Sequence, residues 1–461
     1  MWEEVLRVAC DDSGAGQKLV DKCDSLDVVY CQTWQYDDPA HRLSDRLGIK
    51  PARQYYSGIG GTTPQVLLSG AAERILRGET DIAFVVGAEA LDTQRRFRKR
   101  DEKFAYSFPP AEKRPFPWEA PFHPSEVAHE VFQAWLTFAM FDDARRAHLG
   151  IGLDQYRREL GEQWHRFTKV AAANPQAWFP LERSVDEIIT PSVTNRLVGY
   201  PYTKYMVSIM DVDMAAGVVI TSHERADVLG VPADQRIYLR GWCYATDPVY
   251  VAEHPDLWRS PAMEDASAEA LRGAGISIDD VAHLDLYSCF ASSVNFARDA
   301  LGIDTTDSRS LTVTGGLPYH GGAGSNYVSH SIAEMTRVLR RDPGSFGLVS
   351  GVGMHMTKHA FGIYSTTPGP VAPPSPVAAC ATTPVVDTYE GPATVATYSV
   401  VHGRDGLPEW GIAVCDTPSG ERCYAKLHDV ELLAAAEEEE LVGKSIVVAC
   451  ADGSVNVGRL P

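Results

Sequence analysis

Gly60-Gly61-Thr62-Thr63-Pro64-Gln65 opens a helix-like run, Val66–Arg77, that leads into the apolar strand Ile82–Gly87. Gly321-Gly322-Ala323-Gly324-Ser325-Asn326 opens a second such run, Tyr327–Arg340, leading into Phe346–Gly351. The second glycine of each pair precedes the strand-closing glycine by 26 positions in the first copy (61 to 87) and by 29 in the second (322 to 351). A turn–helix–strand unit present twice indicates two related α/β halves rather than a solenoid, which needs at least three stacked repeats. Glycine pairs at a helix start let backbone approach closely, and the unpaired N–H groups there favour an anion or a developing oxyanion. The functional site is therefore expected where the two helix starts face each other.

Working outward, the first half spans 1–235. It opens on a short helix, Glu3–Ala9, followed by a turn into a strand at Val28-Val29-Tyr30. An α/β half usually begins with a strand, and none precedes this helix; the expectation is a first strand lying ahead of the given start. Between about 95 and 200 the strand–helix rhythm lapses into an inserted region. It holds the Pro/aromatic stretches Pro109-Pro110, Pro115-Phe116-Pro117-Trp118 and Pro121-Phe122-His123-Pro124, and helical periods at Glu126–Ala147 and Tyr156–Val170. Such an insertion reads as a lid over the site or as a packing excursion. Its opening basic run, Arg95-Arg96-Phe97-Arg98-Lys99-Arg100, reads as a solvated loop, with phosphate contact as the alternative. Asp213–Ile220 is a buried strand that closes this half, and the second half spans 236–366. A Pro-rich linker, 367–377, leads to 378–461. There strands at Ala393–His402, Trp410–Cys415, Arg422–Lys426 and Ser445–Ala451, with an acidic helix at Glu431–Leu441, predict a small OB-like barrel.

At 461 residues, two or three domains are expected. A net charge of −19 disfavours nucleic acid as a partner, and Glu437-Glu438-Glu439-Glu440 disfavours it for the barrel as well. No apolar stretch approaches the ~20 residues of a membrane helix, so no membrane partner is expected. The nine cysteines show no CxxC spacing, which fits reduced thiols in a cytoplasmic protein without a metal site.

Two halves of this kind, with glycine-lined helix starts and a long insertion, resemble the thiolase superfamily over nearly all of 1–366. Gly58-Ile59-Gly60-Gly61 lies where thiolases have Cys-x-Ser-Gly. His165–Phe179 resembles the loop region after the dimer-facing helix. Leu286-Tyr287-Ser288-Cys289-Phe290-Ala291 lies where they have Asn-Glu-Ala-Phe or His-Asp-Cys-Phe. Thr314-Gly315-Gly316-Leu317 through Gly322-Ala323 lies where they have Gly-Gly-Leu followed by Gly-His-Pro, and Gly351-Val352-Gly353 where they have Cys-x-Gly. With the added barrel, the resemblance is nearest to actinobacterial thiolase-like proteins of type 1, related to sterol-carrier-type thiolases and to lipid-transfer-type aldolases. It implies a duplicated thiolase fold, layered α/β/α/β/α, with acyl-CoA as ligand, no covalently bound cofactor, a place in lipid metabolism, and a homodimer or a monomer.

The departures from the family pattern bear on the chemistry. A thiolase needs a nucleophilic Cys at the first helix start, where the helix dipole lowers its pKa. No cysteine lies between Cys31 and Cys243, and Gly58 aligns on that position. The second Cys aligns on Gly351 and the oxyanion-hole His on Gly322, with Gly60, Gly61, Gly321 and Gly353 as neighbouring backbone donors. The remaining candidates for catalysis are Tyr287, His320, His355 and His359, and for substrate contact Gly315, Gly316, Tyr319 and Lys358. Cys289 is a possible replacement nucleophile, although its alternation with Phe290 suits packing. Tyr200–Tyr205 reads as pocket wall or as structural. Two functions follow from the resemblance: an acyl-CoA-binding protein that has lost Claisen chemistry, and a retro-aldolase acting on β-hydroxyacyl-CoA with Tyr287 or His320 as base.

Overall fold

The structure, a computed structural model, describes residues 1–114, 122–451 and 453–461. The first half runs α1 (Trp2–Asp12), α2 (Gln17–Lys22), β1 (Ser25–Val28), α3 (Pro39–Leu47), β2 (Arg53–Tyr56), α4 (Thr63–Leu76) and β3 (Ile82–Ala90). The inserted region follows as α5 (Leu91–Lys99), α6 (Pro124–Ala128), α7 (Ala134–His148), α8 (Leu153–Ala173), α9 (Val185–Ile189), β4 (Leu197–Gly199) and β5 (Tyr202–Thr203). β6 (Asp213–Thr221) and α10 (His223–Leu229) then return to the first half. The second half holds β7 (Tyr238–Thr246), α11 (Pro261–Ala274), β8 (Val281–Asp285), α12 (Ala291–Ala300), α13 (Tyr327–Arg341), β9 (Phe346–Gly353) and β10 (Lys358–Ser365).

The strands form two four-stranded sheets, ordered β2-β1-β3-β6 and β7-β10-β9-β8. In both, a parallel core strand, β3 or β9, pairs with an antiparallel neighbour, β6 or β10. β3 is buried along all nine residues, as its uninterrupted apolar sequence requires of a strand covered on both faces. α4 and α13 touch each other and both sheets, so they form the middle layer. α1 and α3 cover the first sheet from outside, and α11 covers the second. This is the layered, duplicated α/β architecture expected from the repeat.

The C-terminal strands β11 (Gly391–His402), β12 (Pro408–Asp416), β13 (Arg422–Leu427), β14 (Ser445–Cys450) and β15 (Asn456–Arg459) close into a five-stranded barrel, with α14 (Val430–Ala435) beside it. The barrel does not hang free. Gly199 of β4 pairs with Val401, the Arg146 guanidinium holds Glu440 at 2.6 and 2.9 Å, and the Tyr424 hydroxyl donates to Glu126 at 2.9 Å.

Three expectations are corrected. The single helix Glu126–Ala147 is broken into α6 and α7, because His129 turns its Nε2 to accept from the Asn456 N–H of the barrel and Glu130 adopts φ 61°. The acidic helix stops at Ala435 instead of Leu441. Four successive carboxylates at a helix C-terminus oppose its dipole, and here Glu437 and Glu440 face His402 and Arg146 instead. The basic run at 95–100 is not a loop but the end of α5, where buried Asp92 pairs with Arg95 and Arg96. The expected Pro/aromatic stretch Pro115-Phe116-Pro117-Trp118 and Pro121 lie outside the described residues. No helix among the described residues is long and apolar enough to cross a membrane.

Candidate functional site

The start of α4 is pressed against the end of β9. A Cβ on Gly351 would fall 3.2 Å from the Thr62 Cα, and one on Gly353 would fall 3.4 Å from the Gly61 nitrogen. The third wall is Tyr287, just beyond the end of β8. Its N–H donates to the Ser350 hydroxyl at 2.9 Å and its carbonyl accepts from the Ser293 hydroxyl at 2.7 Å, which fixes the backbone. Its ring stands edge-on to Tyr327 at 5.7 Å. The phenol is thereby aimed at Gly61. A Cβ there would lie 2.4 Å from the Tyr287 hydroxyl oxygen and 2.1 Å from the Val352 carbonyl oxygen. The glycine that faces this corner is Gly61 and not Gly58, which is exposed with nothing within 4 Å of its would-be Cβ.

Burial, with a smaller push from Cys289, drives the Tyr287 phenol well above its ordinary pKa, so it stays protonated. Burial likewise pushes the Cys289 thiol up to about 12, and the thiol donates to Ser293 at 3.6 Å. A thiol held protonated is a poor nucleophile.

The second helix start is built differently. Gly321, at φ 116°, packs on the Met214 sulfur, and a Cβ on Gly322 would lie 2.3 Å from the Ser208 Oγ. Gly324, at φ 55°, lies against the buried Glu89 carboxylate, and Gly87 lies against Asn326, the residue that precedes α13. Two of the backbone donors expected from sequence are already committed. The Gly60 N–H donates to the Ser325 hydroxyl at 3.1 Å, and the Gly322 N–H to the Ile209 carbonyl at 2.7 Å.

Gly315 and Gly316 pack against α8. Both have positive φ, and Cβ atoms there would collide with Ala171 and Phe167 of α8. Their loop is tied down by buried Asp285, which accepts from the N–H groups of Val313 and Thr314 at 2.9 and 3.0 Å and from the Ser331 hydroxyl at 2.9 Å.

The histidines separate. His320 is buried, and its Nε2 has no hydrogen-bond partner. Burial, aided by the charge of Arg337, lowers its pKa to about 4, so the imidazole is neutral. Its ring contacts Tyr327 at 6.1 Å and His330 at 5.4 Å, and Tyr327 in turn contacts Tyr287. Tyr319, beside it, is a buried phenol set edge-on to Trp164. His355 faces the Thr137 hydroxyl at 2.7 Å, and burial lowers its pKa to about 4. It sits in the β9–β10 turn between Met354 and Met356, both in the left-handed region at φ 58° and 61°, which is uncommon for methionine. Lys358 opens β10, half-buried, with its Cβ over Gly353. His359 is occupied elsewhere: fully buried, it holds Asp247 at 2.8 Å.

The geometry adds residues to which no role was given from sequence. Ser325 and Asn326 belong to the second glycine motif itself, and Glu89 is an acid placed two residues beyond the strand-closing Gly87. A carboxylate there was the legible signal. Glu89 accepts from the Gln32 and Thr33 N–H groups at 2.7 and 2.9 Å while burial raises its pKa.

Comparisons with known proteins agree with this architecture. Residues 373–453 match the family model described as the thiolase-like protein type 1 additional C-terminal domain. The whole chain superposes on the crystal structure of a monomeric SCP2-thiolase like protein type 1 from Mycobacterium smegmatis. The TM-score is 0.86 at 32% identity, covering 100% of this chain and 94% of that one. The Ltp2-ChsH2(DUF35) aldolase shares the fold at TM-score 0.59 and 17% identity, covering 78% of this chain and 90% of that one. Curated proteins yield no match.

Proposed function

The chain belongs to the SCP2-thiolase-like proteins of type 1, and from that premise we propose that it binds acyl-CoA thioesters without thiolase chemistry. The observation that carries this reading is the corner at Gly61, where the Tyr287 hydroxyl and the Val352 carbonyl fill the space that a side chain at the helix start would take. Claisen chemistry by way of a covalent acyl-enzyme needs a thiolate at such a helix start. A phenol held protonated beside the positive end of the α4 dipole offers a hydrogen-bond donor to a thioester oxygen in its place. The Mycobacterium smegmatis relative is described as monomeric, and the same state is proposed for this chain. The test pairs two assays. Calorimetric titration with acetoacetyl-CoA is expected to show binding, while a thiolysis assay with free CoA shows no turnover. Turnover at ordinary enzyme rates overturns the reading.

The buried phenol also supports a second reading, retro-aldol cleavage of β-hydroxyacyl-CoA. A base takes the β-hydroxyl proton, the Cα–Cβ bond breaks to release a carbonyl product, and the thioester enolate left behind is protonated. His320 is neutral and has a free Nε2, but Tyr327 contacts both its ring and that of Tyr287, and a pKa near 4 makes it a weak base. Binding is therefore the reading favoured. Release of aldehyde or ketone from β-hydroxyacyl-CoA by the wild type, abolished in Tyr287→Phe, decides for the aldolase instead.

A further inference from the structure

Away from the Gly61 corner, a cavity of about 280 Å³ opens between α8, the far end of α12 and the loop that follows α12. Four arginines and four carboxylates line it, and their pairing is uneven. The carboxylates are each engaged. Asp307 holds Arg309 through both oxygens, and Asp304 accepts from the Thr306 N–H at 2.8 Å. Glu159 accepts from Gln155 at 2.9 Å, and Glu162 faces Arg158 at 3.9 Å. Of the arginines, Arg145 takes both oxygens of Asp299, at 2.6 and 2.9 Å.

What remains is a set of donors without acceptors. The Arg298 side chain is 13% exposed, and its Nε is buried with no hydrogen-bond partner. Its one ion pair among the described residues, 3.8 Å to Asp299, is to a carboxylate already held by Arg145. Burial, with the positive charge of Arg145 adding to it, lowers the Arg298 pKa. The Gln163 Nε2 on α8 is likewise buried and unpartnered. Arg166, three positions further along α8, lines the same cavity from the same helix face. A buried donor left without an acceptor destabilises a fold, so two of them around one cavity point to an occupant that accepts.

We propose that this cavity binds a phosphate group, held by the Arg298 guanidinium, the Gln163 amide and Arg166. The donors come from two helices, α8 and α12. A tetrahedral oxyanion, with acceptor oxygens in several directions, meets both, whereas a planar carboxylate presents its oxygens in one plane. Size and charge limit the occupant further. The volume falls just below the roughly 300–1,000 Å³ of sites that take drug-sized ligands, so the molecule is inorganic phosphate or a small phosphate monoester. The four carboxylates in the wall repel the added charge of a polyphosphate.

The first probe is inorganic phosphate, titrated into the full chain at fixed ionic strength and followed by calorimetry and by phosphorus NMR line width. Saturable binding is expected in the wild type, weakened by about tenfold or more in Arg298→Gln, which removes a charged donor. Phosphate is expected to raise the Tm of the wild type and to leave that of Arg298→Gln unchanged. Gln163→Leu keeps the side-chain bulk, removes the amide donor, and is expected to weaken binding by a smaller factor. Glycerol phosphate, as the second probe, separates the two sources: tighter binding than inorganic phosphate assigns the site to a monoester, weaker binding to the free ion. No saturation up to about 10 mM phosphate, or equal affinity in the wild type and Arg298→Gln, overturns the proposal. Where Arg298→Gln does not fold, Gln163→Leu decides, and unchanged phosphate affinity in that variant overturns it.

Discussion

The two helix starts share a sequence signature and diverge in what fills them. At α4 the gap in front of Gly61 is taken by a tyrosine delivered from the other half, with its hydroxyl at the corner and its ring edge-on to Tyr327. At α13 the gap in front of Gly321 and Gly322 is taken by Met214 of β6 and by Ser208 and Ile209 from the segment that leads into it. Glycine therefore marks where backbone must come close, not what it comes close to. The first start presents a polar, donating group at the end of a strand of the opposite sheet, the usual place for a ligand in α/β folds. The second is a packed seam.

That contrast can be broken by substitution. Gly61→Ala forces a Cβ against the Val352 carbonyl, a backbone atom that cannot swing aside, and is expected to cost about 3 kcal/mol of stability in urea unfolding. Next in size is a pH effect at the second start. Burial holds His320 neutral in the folded protein, with Arg337 opposing a charge there. The unfolded chain takes up the proton near pH 6.5 and the folded one near 4, so stability falls as the pH drops through that window. From pH 6.5 to 5 the loss from His320 is about 2 kcal/mol, and His320→Gln is expected to flatten the thermal-melt profile there. Gly322→Ala is expected to cost only about 1 kcal/mol, because its nearest obstacle is the Ser208 hydroxyl, which can rotate away. A cost equal to that of Gly61→Ala erases the distinction between the two starts. Smallest is Tyr287→Phe. It changes stability by about 0.5 kcal/mol or less, yet weakens thioester binding by about 1 kcal/mol in calorimetry, since only a donated hydrogen bond is removed.

Local pattern made the duplicated unit readable, because each helix and strand of the repeat is written in adjacent residues with glycine or proline at its ends. The barrel was readable for the same reason, except for β15, a four-residue strand too short to show alternation. What stayed hidden depends on distant partners. The break at His129 exists because of Asn456, 327 positions away, and His359 is withdrawn from the site by Asp247, 112 positions away. Within the site, sequence pointed to Tyr287 and to the glycines from Gly58 to Gly61 but not to which of them meets it; the loop before α4 brings Gly61 to the corner and leaves Gly58 exposed. Periodicity fixes a helix face, whereas the residue that meets the opposite half is set by how deeply α4 is pushed against β9.

The most direct test of a thioester site without a nucleophile is intact-mass spectrometry after incubation with acetoacetyl-CoA, recorded under native and then denaturing conditions. Native spectra are predicted to show the protein carrying the whole thioester, and denatured spectra the unmodified chain. An acyl group that survives denaturation on Cys289, or on any other cysteine beside the Gly61 corner, contradicts the account.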